Sequence, residues 1–93
     1  MNVTGIKTIA EHYGLSNQMM QTAEECAELT QAIMKVFRNG LGEERDHLIE
    51  ELADVQIMTY QLEYLLGDSS LDKVREEKIT RQLRRIEDGQ THN

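Results

Sequence analysis

Proline is absent from this 93-residue chain, and glycine occurs only six times. Proline removes a backbone donor and clashes with the preceding turn, so a chain without it can run long uninterrupted helices. Aromatic residues make up 4% of the chain and tryptophan is missing, which leaves Leu, Ile, Val, Met and Ala to fill the core. The single cysteine, Cys26, has no partner for an internal disulfide. It reads as a packing residue in a reducing, cytoplasmic setting. No apolar run approaches the ~18 residues that span a bilayer. The N-terminal stretch from Met1 to Ala10 is polar and does not read as a signal peptide.

What is present is acid. The net charge is −7, and it is unevenly spread. From Glu24 to Asp54 there are nine acids against three bases, whereas from Asp68 to Asp88 six acids meet six bases. A phosphate-backbone binder needs a basic stripe, so a nucleic-acid partner is not expected, nor is a membrane. A polyanionic ligand fits only if cations neutralise the acidic centre. A chain of this length buries only roughly 60–65% of its unfolded surface. One domain over residues 1–93 is expected, with assembly into oligomers supplying further burial and a frayed tail after about residue 88.

The hydrophobic pattern has helical period throughout, without strand-like alternation. It predicts a first helix from about Thr4 to His12, stopped by Tyr13-Gly14. A second, capped by Ser16 or Asn17, runs to about Arg38. Its apolar residues (Met19, Met20, Ala23, Cys26, Ala27, Leu29, Ile33, Met34, Val36 and Phe37) cover most of its circumference and predict a central position. Asn39-Gly40-Leu41-Gly42 is a helix stop. A third helix runs from near Glu43 to Leu66, with Gly67 at its C-terminal end. A fourth, capped by Asp68, Ser69 or Ser70, runs from about Leu71 to Glu87, with Leu71, Val74, Ile79, Leu83 and Ile86 as its apolar side. Short loops predict antiparallel neighbours in an all-α, four-helix-bundle-like fold.

Two acids break this pattern. Glu51 projects between Val55, Met58 and Leu62, and Asp54 lies about one ridge away. On the preceding helix Glu25 projects between Leu29, Ala32 and Val36, with Glu28 at the polar border. A lone buried carboxylate is costly unless paired or metal-bound. Two pairs at i,i+3 on facing helices would converge four oxygen ligands, which suit Mg²⁺ or Mn²⁺. Neither pair contains the Glu-x-x-His of di-iron bundles. His12, His47 and His92 lack metal-ligand spacing, although His47 stands one turn before Glu51 at the edge of the site. Glu24, Glu43, Glu44, Glu63, Glu76 and Glu77 read as solvated surface acids.

Glu24-Glu25-Cys26-Ala27-Glu28-Leu29, followed after a loop by Glu50-Glu51-Leu52-Ala53-Asp54-Val55, resembles the E-E-x-x-E…E-x-x-D signature of the MazG-like all-α nucleoside triphosphate pyrophosphohydrolases. The resemblance covers about residues 15–88. It implies a helical bundle assembled as a homodimer or homotetramer, with Mg²⁺ held by Glu25, Glu28, Glu51 and Asp54. It also implies hydrolysis of a nucleoside triphosphate between the α and β phosphates, releasing a monophosphate and pyrophosphate. Relatives often remove non-canonical or surplus nucleotides, and small single-domain forms occur in phages and prophages. Glu25 or Glu28 is the expected general base.

Relatives often carry Lys, then Asn four and Arg seven residues later, on the last helix. Lys78, Gln82 and Arg85 match those positions, with Gln82 a departure and Arg81 adjacent. Lys78, Arg81 and Arg85 are therefore expected to grip phosphate oxygens. They read equally as a solvated face paired with Glu77 and Asp88. Tyr13, Asn17, Gln18 and Gln21 are expected to read the base, although Asn17 and Gln18 also fit a cap and a surface position. Two rival readings are a non-enzymatic helical interaction module with Met- and Leu-rich faces, and the same fold acting on another pyrophosphate-containing nucleotide.

Overall fold

The first helix is set by Asn2, whose side-chain oxygen accepts a hydrogen bond from the Gly5 amide at 2.8 Å and satisfies one of the orphan donors of a helix start. In a computed structural model of the chain, which describes residues 1–89, four helices account for nearly all of these residues. They are α1 (Val3–Tyr13), α2 (Leu15–Asn39), α3 (Leu41–Leu66) and α4 (Ser70–Glu87). The all-α class is as the sequence predicts. Residues 90–93, which hold most of the expected frayed tail and His92, lie outside the described residues.

Gly14 is the only residue between α1 and α2. Its φ of 84° and ψ of 167° lie where only glycine is at ease, so α1 stops and α2 starts at one residue. The expected cap is corrected here. Gly14 is the N-cap and makes no side-chain bond, while Ser16 and Asn17 lie inside α2. Asn17 instead donates its amide to the Tyr13 carbonyl at 2.9 Å, satisfying an acceptor left open at the end of α1. Gly40, with φ 93° and ψ 151°, turns α2 into α3 in the same way, so α3 starts two residues before the expected Glu43. Gly67 is left-handed and its amide reaches the Glu63 carbonyl at 3.2 Å. Asp68 accepts from the Ser70 amide at 2.8 Å to open α4.

The packed body is α2 against α3, with α1 laid across both. Among the described residues its buried apolar side chains are Ile6 and Ala10 of α1, Ala32 of α2 and Met58 of α3. Polar groups complete the interior. Gln18 donates to Gln61 at 2.6 Å, and Thr22 donates to the Gln18 carbonyl at 2.6 Å. Gln18 near one end of α2 meets Gln61 near the far end of α3, while Asn39 bonds Glu44 at the hairpin. The two helices are therefore antiparallel.

Two expectations about burial are corrected. On α2, Met19, Met20, Ile33, Met34 and Phe37 are exposed, and so is Cys26, which packs against nothing that would bury it. Only one face of α2 meets α1 and α3, so its remaining apolar circumference has no partner among the described residues. Helix α4 stands off the body. None of its described residues is buried, and Leu71, Val74, Ile79, Leu83 and Ile86 are all exposed. A salt bridge of 3.7 Å from Arg75 to Glu63 ties its start to α3. The radius of gyration is 16.3 Å, against about 12 Å for a compact domain of this length.

Candidate metal centre

Glu25, Glu28 and Glu51 meet between α2 and α3, each offering a carboxylate oxygen within 4.8 Å of the others. The helical period brings them there. Glu25 shares its ridge with half-buried Leu29 and Val36 and buried Ala32, and Glu51 shares its ridge with half-buried Val55 and buried Met58. The stripe that packs α2 on α3 thus carries both acids into the contact. Glu28, on the polar border, enters from the exposed side.

Negative charge is crowded at this centre. Two fully charged carboxylates at this separation repel by about 3 kcal/mol at an effective dielectric near 20. Burial pushes the Glu25 carboxyl above the usual carboxylate range. A hydrogen bond from Gln21 opposes that rise, and the negative charges of Glu28 and Asp54 add to it. Gln21 donates to Glu25 Oε1 at 3.0 Å, but Glu25 Oε2 is buried without a hydrogen-bond partner. Glu51 Oε2 is in the same condition. Glu51 Oε1 lies 3.4 Å from Nε2 of His47, one turn earlier on α3.

Buried, unpartnered carboxylate oxygens are costly, and two of them facing a third carboxylate form a hard, anionic donor set. The residues therefore fit a divalent cation that prefers oxygen ligands. Asp54, expected on the apolar face, is exposed and lies outside the group of three. Its charge still reaches Glu25.

The other expected site residues are placed as follows. Tyr13, Asn17, Gln18 and Gln21 share one shallow groove at the α1–α2 corner with Met20 and Glu24. Within it, the Asn17 amide is engaged by Tyr13, the Gln18 side chain is turned inward to Gln61, and Gln21 serves Glu25. Tyr13 is 54% exposed, its ring edge-to-face with His12. On α4, Lys78 and Arg81 are exposed, and half-buried Arg85 donates to Gln82 at 3.1 Å. Among the described residues no ion pair joins these bases to the four acids.

Gln61 is a further buried polar residue, outside the site residues expected from the sequence. Its signal was available, since it lies on the same stripe as Met58 and Leu62 and breaks that stripe as Glu51 does. Among the described residues, no helix is long and apolar enough to cross a membrane.

A family model described as the MazG nucleotide pyrophosphohydrolase domain matches residues 14–85. Neither a curated protein nor a solved structure shows a significant match. The matched span opens at the glycine corner before α2, encloses all four acids and ends within α4 at Arg85. Members of this family act on nucleotides and depend on divalent metal. With its paired acids on α2 and α3 inside a match over most of its length, the chain belongs to the MazG nucleotide pyrophosphohydrolase domain family.

Proposed function

We propose that this protein is a Mg²⁺-dependent hydrolase that cleaves a nucleoside triphosphate between its α and β phosphates, yielding a monophosphate and pyrophosphate. The observation that carries the reading is the convergence of Glu25, Glu28 and Glu51, with two buried oxygens lacking partners. A chain that places such oxygens together gains by surrounding a cation with them. Glu25, Glu28, Glu51 and Asp54 would hold the ion, with Mn²⁺ as a second acceptable occupant.

When bound, the ion neutralises triphosphate charge and lowers the pKa of an attacking water. Glu25 or Glu28 accepts the proton of that water. Lys78, Arg81 and Arg85 bind oxygens of the departing pyrophosphate and stabilise its growing charge. The groove of Tyr13, Asn17, Gln18 and Gln21 receives the base, chiefly through the exposed Tyr13 ring. The exposed apolar faces of α2 and α4 are assigned to a homodimeric or homotetrameric interface, and the setting is taken as cytoplasmic. Assembly also explains how bases on α4 come to act with acids on α2 and α3, since no ion pair joins them within one chain among the described residues.

The test is a pyrophosphate-release assay with Mg²⁺ and a panel of ribo-, deoxy- and modified triphosphates. Glu28→Ala and Asp54→Ala are expected to abolish turnover while retaining helical circular dichroism. Retained activity in either variant, or hydrolysis of no member of the panel, refutes the proposal. Nucleoside monophosphate release from an added nucleotide sugar, followed by chromatography because that substrate yields no pyrophosphate, separates the substrate classes.

A further inference from the structure

Glu51 differs from the other acids in its surroundings. Its side chain is 12% exposed, its Oε2 is buried without a partner, and its Oε1 faces His47 Nε2 at 3.4 Å. The acids grouped with it are Glu25 and Glu28, whose carboxylates have no hydrogen to donate when ionised. Among the described residues, His47 is the one donor-bearing side chain paired with Glu51. The i,i+4 spacing places both on one ridge of α3.

The His47 side chain is 40% exposed, so filling the interior does not account for an imidazole at this position. A carboxylate surrounded by like charges has little to define its rotation, because χ3 of glutamate has a broad, roughly two-fold profile. A donor on one oxygen narrows that rotation and leaves the other oxygen for a cation. Groups that hold metal ligands from behind in this way typically contribute about 10–100-fold to metal affinity.

We propose that His47 is a positioning residue for the divalent-cation site. Its Nε2–H holds Glu51 Oε1, so that Glu51 Oε2 serves the ion together with Glu25 and Glu28. The inference rests on the metal-site reading above and adds a residue outside the four acids. Direct ligation by the imidazole is the competing role, and it has a different signature. A nitrogen ligand favours Mn²⁺ over Mg²⁺, whereas a positioning donor supports an oxygen ligand for either ion.

The test titrates the full chain, without nucleotide, with MnCl₂ by calorimetry, and measures Mg²⁺ by competition. His47→Leu is expected to lose about 10–100-fold in affinity for both ions alike. His47→Gln, whose amide places a donor at similar reach, is expected to recover most of that loss, and the shorter His47→Asn is not. The comparison of Gln with Asn holds even where Leu perturbs folding, and circular dichroism of each variant monitors that. Wild-type affinity in His47→Leu overturns the proposal. A loss confined to Mn²⁺ overturns it in favour of ligation. Failure of His47→Gln to recover affinity overturns it as well. A wild-type chain that binds neither ion removes the metal-site reading itself, which is a separate result.

Discussion

Gln18 of α2 donates its side-chain amide to the Gln61 side-chain oxygen of α3 at 2.6 Å, and both residues are buried. This pair sets the register of the hairpin that builds the acidic centre. Seven residues onward along α2 is Glu25, and seven residues back along α3 is Asp54. Two turns of antiparallel helix therefore carry the register from the glutamines to acids whose charges interact.

Removing one member of the pair strands the other. Gln61→Leu is expected to cost about 1–3 kcal/mol because the Gln18 amide is then buried without a partner. Gln18→Leu combined with Gln61→Leu removes both polar groups and recovers much of that loss. Urea unfolding of the two single variants and the double variant measures the coupling. Strictly additive losses would exclude it.

The Glu25 carboxyl predicts a pH dependence of the metal-free protein. Burial and the neighbouring acids raise its pKa above its ordinary value of 4.5. The folded state therefore holds the Glu25 proton more tightly than the unfolded state does. Its charged form disfavours folding at neutral pH, and that penalty is relieved as pH falls through the raised folded value toward 4.5. In chelator, this group makes the chain more stable as pH drops through that window, and Glu25→Gln flattens the response. Thermal midpoints across that pH range, for both proteins, check the sign.

The bases of α4 lend themselves to kinetic dissection. If Lys78 and Arg85 stabilise the departing pyrophosphate, Lys78→Ala and Arg85→Ala each lower kcat/KM by about 100-fold. Metal affinity without nucleotide is expected to stay unchanged, because among the described residues no ion pair joins either base to the acids. Arg85→Lys is not expected to restore the rate, since an ammonium lacks the planar fork of guanidinium. Equal rates for wild type and Arg85→Ala would return Arg85 to the solvated face.

Helix α4 exposes Leu83 at 59% and Ile86 at 69%, more than a stable single chain is expected to leave uncovered next to its other apolar faces. Leu83→Glu combined with Ile86→Glu is expected to shift the protein to its monomeric mass in size-exclusion chromatography with light scattering. Turnover should fall with assembly. An unchanged mass would place the interface elsewhere, on the Met-rich side of α2.

Sequence alone determined the four helices, because the 3.6-residue period, the missing proline and the glycines at 14, 40 and 67 are local signals. It also singled out Glu25 and Glu51, since an acid flanked at helical spacing by apolar residues breaks a pattern that can be read without coordinates. The tertiary structure decided what those residues meet. Packing placed Glu28 beside Glu51 and left Asp54 in solvent. It turned Gln18 inward and brought His47 against Glu51. It also left the apolar sides of α2 and α4 open. A helical wheel shows which side of a helix is apolar. Whether another helix covers that side depends on contacts between residues far apart in the chain, which no local period encodes.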